Sequence, residues 1–120
     1  MAEFECFHRG ECEIPRKSVL ITMDDGYQSN YDLAFPLLKK YKMNATVFYL
    51  GINEDGHNEQ YMSKETLEKV QKEYPNITIA SHSYNLHIEG SINRSKEELL
   101  KDIKKQKKIV STRYYAYPYG

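Results

Sequence analysis

The stretch Ser18-Val19-Leu20-Ile21-Thr22-Met23-Asp24-Asp25-Gly26 decides the fold. Residues 18–23 are apolar and β-branched, the composition of a buried strand, and the two aspartates and glycine that follow read as a polar loop at its carboxyl end. Downstream, Leu33, Leu37, Leu38 and Tyr41 are spaced for one face of a helix, which Pro36 bends or opens. Residues 45–50 read as a second strand. Residues 51–61, with Asn53, Asp55, Gly56 and Asn58, read as a long polar loop.

The alternation continues to the end of the chain. Ser63 is placed to cap a helix carrying Leu67, Val70 and Tyr74 on one side, and Pro75 ends it. Residues 77–80 form the third expected strand. Ser95 and Glu98 fit a capping box that opens a third helix, with Leu99, Leu100 and Ile103 as its buried stripe. Its lysines, Lys101, Lys104, Lys105, Lys107 and Lys108, read as a solvated face. Residues 114–117 make a fourth strand, stopped by Pro118. The order β-α-β-α-β-α-β calls for a parallel sheet with right-handed crossovers. The fold class is therefore α/β, a partial (β/α) barrel of about four parallel strands and three helices, where a closed barrel runs to ~250 residues.

Bulk properties narrow the function. With 120 residues, 40% of them hydrophobic, the chain has room for one core and no second domain. Lys plus Arg and Asp plus Glu number 17 each, so nothing argues for nucleic acid, and a neutral glycan is compatible. No apolar run approaches the length of a membrane span. The N-terminus shows no secretory signal pattern. Cys6 and Cys12 allow a short disulfide in an oxidising compartment, unpaired thiols, or a metal cluster with His8 that would lack a fourth ligand.

In parallel α/β folds the chemistry collects at the carboxyl ends of the strands. Here those ends carry Asp24 and Asp25, then His82 and His87, then Pro118, Tyr119 and Gly120. Two imidazoles and one carboxylate leave positions open on a divalent ion, as in catalytic rather than structural metal sites. On a straight helix His82 and His87 would diverge by about 140°, so an irregular turn must bring both rings to one ion, with Ser83 and Asn85 bonding it locally. Neighbouring aspartates leave a strand in different directions, which suits one for the metal and the other for a free base. Alone, Asp24-Asp25-Gly26 reads more readily as a tight polar turn; the histidine pair at a later strand end shifts the reading to the site.

The segment from Val19 to Tyr27 resembles the first motif of the polysaccharide deacetylases (the NodB-homology or carbohydrate esterase family 4 domain), with Met23 where Phe is usual. Ser81-His82-Ser83-Tyr84-Asn85-Leu86-His87 resembles the second motif in the longer spacing of poly-N-acetylglucosamine deacetylases, and Ala116-Tyr117-Pro118-Tyr119-Gly120 is similar to the third. The resemblance covers residues 14–120, leaving 1–13 as a lead-in, and implies a distorted TIM-like barrel in the complete domain. It implies a metal-dependent hydrolase that removes N-acetyl groups from a cell-wall or extracellular polysaccharide, at the cell surface or outside the cell. By the same likeness Asp24 is the general base, Asp25, His82 and His87 hold the metal, and the Tyr119 amide meets the oxyanion. Zinc is the expected ion, with cobalt, nickel and iron(II) as alternates.

Tyr27, Tyr84 and Tyr119 flank the motifs and offer rings for stacking on sugars; Tyr27, Tyr84 and Pro118 are the expected substrate contacts. The arginine that tethers the base in the family aligns with Ala116, and Arg113 stands three residues too early to replace it. The family's later motifs, with the general-acid histidine, are expected beyond Gly120, so these residues alone should turn over little substrate and self-associate through open barrel edges. Two alternatives stand beside this reading. A non-haem iron oxygenase also uses two histidines and a carboxylate, and a glycan-binding or regulatory remnant would keep the ligands without catalysis.

Overall fold

The computed structural model describes residues 1–89 and 93–119, apart from the side chains of residues 88 and 89. Three parallel strands form its sheet in the order β1-β2-β3: β1 is Thr22–Met23, β2 is Ala45–Tyr49 and β3 is Ile77–Ser81. Helices α1 (Ala2–His8), α2 (Phe35–Lys40), α3 (Lys64–Glu73), α4 (Leu86–Glu89) and α5 (Lys96–Ile109) surround it. This is the α/β alternation of a partial (β/α) barrel. It also removes the oxygenase alternative, whose double-sheet β architecture has no place for parallel strands joined through helices.

All five residues of β2 are buried, as a central parallel strand requires. Val47, Tyr49, Phe35, Met62, Leu67 and Val70 form the centre of the core. Helix α3 starts where the sequence predicts: the Ser63 hydroxyl accepts the Thr66 amide, and Leu67 and Val70 face inward. On α5 both halves of the Ser95–Glu98 capping box are made.

The first strand is shorter than expected. Pairing with β2 covers Thr22 and Met23, extended by the Thr46 amide donating to the Ile21 carbonyl at 3.0 Å. Because β2 begins at Ala45, Val19 and Leu20 have no strand opposite them, and Val19 is 82% exposed. The fourth strand contracts to one parallel bridge, Ser81 to Tyr115, with hydrogen bonds from Ser81 to Tyr114 and from Ala116 to Ser81. Pro118 has no N–H with which to continue the ladder.

The helix after the aspartates also departs from expectation. A π-helical turn, Asn30–Ala34, runs directly into α2, and Leu33, Leu37 and Tyr41 lie on the exposed side. The buried stripe is Tyr31, Ala34, Phe35 and Leu38, which has the same helical spacing. Aromatic packing selects it: Tyr31 and Phe35 meet Tyr74 of the α3 C-cap at centroid distances of 5.8 and 5.6 Å.

Helix α5 differs in a way that bears on the site. Leu99 and Ile103 are half-buried, Leu100 is exposed, and the buried residues are Asp102 and Gln106. The five lysines are exposed as predicted. In the lead-in, α1 is closed by a Cys6–Cys12 disulfide, which excludes the thiol–His8 metal cluster. Glu5 pairs with Arg9 and Arg113 at 2.7 and 2.6 Å and accepts the Tyr114 hydroxyl at 2.9 Å, fastening α1 to the end of the chain. No described helix is long and apolar enough to cross a membrane.

Candidate metal centre

The sheet brings three of the sequence-predicted residues together at its carboxyl edge. Asp25 follows β1, His82 follows β3, and His87 lies in the one-turn helix α4. Oδ1 of Asp25 is 3.5 Å from His82 Nε2 and 3.3 Å from His87 Nε2, and the three ligand atoms lie within 4.8 Å of one another.

Backbone strain aims these side chains. Asp25 has φ +66 and Gly26 φ +76, so the chain turns sharply as it leaves β1. Gly26 sits on the ring of buried Tyr49, where a Cβ would meet Cδ2 at 2.5 Å. The Tyr49 hydroxyl donates to the Met62 carbonyl at 2.8 Å, and the Met62 amide donates to the Gly26 carbonyl at 2.9 Å. The aspartate loop is thus braced from the core side. Between the histidines, Ser83 has φ +86 and its hydroxyl accepts the Leu86 amide at 3.2 Å. That is the irregular turn the five-residue spacing demands.

His82 is 2% exposed, and its Nδ1 lies 3.0 Å from the Ala116 carbonyl oxygen. A carbonyl only accepts, so Nδ1 carries the proton and Nε2 presents a lone pair towards Asp25. Asp25 Oδ1 is itself buried with no hydrogen-bond donor. A buried carboxylate oxygen without a donor, facing the His82 lone pair and the His87 ring, calls for a cation, and one oxygen with two imidazole nitrogens is a donor set that divalent zinc accepts. The residues present therefore fit a divalent ion held by Asp25, His82 and His87.

The other sequence-predicted residues surround this point to different degrees. Asp24 is exposed next to it, with its carbonyl accepting the Gly26 amide at 2.8 Å. Tyr119, at φ +66, packs its ring at a 44° tilt 4.6 Å from the His87 ring and donates its hydroxyl to the His87 carbonyl at 2.6 Å. Tyr27 stacks on Tyr61 at 4.8 Å; hydrogen bonding to Tyr61, with the Asp25 carboxylate adding to it, pushes its phenol up to about 12. Tyr84 lies on the α5 side instead, with Lys105 Nζ 4.5 Å above its ring. Pro118 is buried, and Gly120 lies outside the described residues. Arg113 is engaged with Glu5 and the Tyr114 hydroxyl, so it tethers α1 and not the base.

Sequence reasoning missed the residues that hold the histidine turn. Asp102 accepts the Tyr84 and Asn85 amides at 2.8 Å each, and Gln106 donates to the Tyr49 carbonyl at 2.8 Å. The signal was their place in the run 99, 102, 103, 106 and 110, a helical stripe with polar residues at its centre.

The sequence profile of the polysaccharide deacetylases matches residues 12–120. The chain belongs to the polysaccharide deacetylase family. Among curated members it is 36% identical over 124 residues to the poly-beta-1,6-N-acetyl-D-glucosamine N-deacetylase of Staphylococcus epidermidis, covering 90% of this chain and 42% of that protein. It is 39% identical over 90 residues to a putative polysaccharide deacetylase of Bacillus subtilis, covering 74% of this chain and 31% of that one. The chain spans less than half the length of these curated relatives. Of solved members of the fold, IcaB from Ammonifex degensii superposes with a TM-score of 0.78 at 30% identity, over 92% of this chain and 54% of that one. The deacetylase domain of BpsB from Bordetella bronchiseptica shares the fold with a TM-score of 0.76 at 20% identity, over 99% and 62% of the two chains.

Proposed function

We propose that this polysaccharide deacetylase family chain supplies the metal-binding half of an N-deacetylase site that acts on a poly-N-acetylglucosamine type of polysaccharide. The observation that carries the reading is the convergence of Asp25 Oδ1, His82 Nε2 and His87 Nε2 within 4.8 Å, with the carboxylate oxygen buried and undonated. The staphylococcal relatives support the glycan class.

A bound divalent ion, zinc in first place and cobalt, nickel or iron(II) as alternates, supplies Lewis-acid polarisation of an acetyl carbonyl and activates water near neutral pH. Asp24, adjacent in sequence to a ligand and exposed, takes the proton of the attacking water. Attack on the amide carbon creates an oxyanion, which the Tyr119 N–H stabilises as a preorganised donor. Tyr119 is held for this by its hydroxyl bond to the His87 carbonyl. Cleavage of the C–N bond releases acetate and an amine, and the amine nitrogen needs a proton. Neither of the other two histidines is placed to donate it, since His8 stacks on Phe4 in α1 and His57 pairs with Asp55. These 120 residues by themselves are therefore expected to deacetylate slowly.

Within the same reading, residues 1–13 are a lead-in to a domain that starts at Ile14, and Tyr27 with its partner Tyr61 is the sugar-stacking surface. Work outside the cell or at its surface is supported by the Cys6–Cys12 disulfide, which persists in oxidising compartments. Exposed Val19 and Leu20 support self-association along the open sheet edge, and a monodisperse monomer in sedimentation would remove that element.

The deciding experiment measures zinc binding and acetate release from N-acetylglucosamine oligomers, for the wild type and Asp25→Ala, in the intact protein. Zinc-dependent release that disappears in the variant is the expected result. Zinc binding without release in any context would favour a glycan-binding remnant, and unaltered zinc binding by Asp25→Ala would overturn the site.

A further inference from the structure

We infer that Asp102, assisted by Gln106, is a positioning residue that sets the geometry of the metal-binding histidines from α5. This inference rests on the metal-site reading above and adds to it a residue in none of the three motifs.

The two oxygens of Asp102 accept consecutive backbone amides, Tyr84 on Oδ1 and Asn85 on Oδ2, each at 2.8 Å. Both amides belong to the short link between His82 and His87. The link begins at Ser83, whose φ of +86 is a costly conformation for a residue with a side chain. A left-handed residue followed by successive backbone amides makes a small concavity with partial positive charge, and an anion is its natural occupant. Asp102 is that anion, only 9% exposed, so the bonds act where water competes little.

One helical turn further on, Gln106 makes the second attachment. Its Nε2 donates at 2.8 Å to the Tyr49 carbonyl, which also accepts the His82 amide at 3.1 Å. The side chain of Gln106 is 1% exposed and fills the space beside Gly51. The i, i+4 pair thus supports the histidine segment at two places: through the Tyr49 carbonyl at the end of β2, which also receives the His82 amide as the chain leaves β3, and in the turn that carries the chain to His87. Neither residue touches the cation-binding atoms. Their effect passes through the backbone to the direction in which two imidazoles point.

Asp102→Asn is the informative substitution. The carboxamide keeps the shape but turns one acceptor into a donor facing an amide N–H. With the fold retained by circular dichroism, zinc affinity is expected to fall by about 10- to 100-fold, as when outer partners of metal ligands are removed. The visible spectrum of the cobalt(II) form should change as well, which a loss of general stability alone would not produce. Gln106→Leu should act in the same direction, and Lys101→Ala on the exposed side of α5 should not. Unchanged zinc affinity and an unchanged cobalt spectrum in Asp102→Asn would overturn the inference while leaving the metal site standing. Failure of the wild type to bind zinc at all would instead remove the site reading itself. Should Asp102→Asn not fold, amide exchange in the wild type decides: the Tyr84 and Asn85 N–H groups are expected to be protected, and exchange at exposed-loop rates would overturn the assignment.

Discussion

The Ala116 carbonyl oxygen lies 3.0 Å from Nδ1 of His82 and so joins the third motif to the second. The contact fixes which ring nitrogen keeps its proton, and with it which one faces Asp25. A cation held there binds the folded chain in preference to the unfolded one. Zinc at ~100 times its Kd is therefore expected to stabilise the protein by about 2.7 kcal/mol. Thermal melts with and without chelator check this, and His82→Ala should abolish the difference.

Asp24 and Asp25 are expected to separate by function. Asp24→Asn should lower kcat by ~10²- to 10⁴-fold, the usual contribution of a general base, with zinc affinity nearly unchanged. Asp25→Asn should weaken zinc binding first. Calorimetric titration beside an acetate-release assay distinguishes the two, and equal effects on both quantities would show that the roles are not divided.

Gly26→Ala combines a positive φ with a Cβ 2.5 Å from the Tyr49 ring. The strain and the overpacking together should cost about 2 kcal/mol or more. Urea unfolding measures it. Tyr49→Phe, which loses only the hydroxyl bond to Met62, is expected to cost about 1 kcal/mol.

The α5 capping box gives a pH dependence with a definite sign. Hydrogen bonds from the Ser95 backbone and hydroxyl hold the Glu98 carboxyl below its ordinary value of 4.5. Its contribution is therefore complete above that value and is lost as pH falls through the lower folded-state value. Ser95→Ala should cost about 1 kcal/mol at neutral pH. Comparing Glu98→Gln with wild type in urea melts should show a gap that narrows in acid.

Replacing Cys6 and Cys12 by serine opens a loop of sequence separation 6. Loop-closure entropy puts the loss at about 2 kcal/mol, felt by α1. Exchange at the α1 amides should quicken. Zinc affinity should move far less than in His82→Ala, because Cys12 lies beside Val19 and Asn44 at the amino ends of the strands, not at the carboxyl edge that carries Asp25, His82 and His87.

Features set by local patterns were legible in the sequence: strand β2, the cap at Ser63 and the Ser95–Glu98 box stand where their residues put them. The grouping of Asp25, His82 and His87 was legible because parallel strands deliver their carboxyl ends to one rim. Two apolar stripes compete around Pro36, and only Tyr74, brought from a distant helix, decides for Tyr31 and Phe35. Asp102 was hidden for a related reason: a buried carboxylate is meaningful only once its acceptor role towards Tyr84 and Asn85 is seen. The length of β1 depended on where its neighbour starts, which no property of residues 18–21 encodes.

Tyr49 makes contact with both sides of the rim at once: its ring lies under Gly26, and its carbonyl receives the His82 amide. Neither loop can drift during sequence change without the other registering it through this shared residue. Substitutions near the aspartates and near the histidines should therefore be epistatic although they lie more than fifty residues apart in the chain. A lineage that altered one loop would be expected to repair the other, or to replace the tyrosine between them.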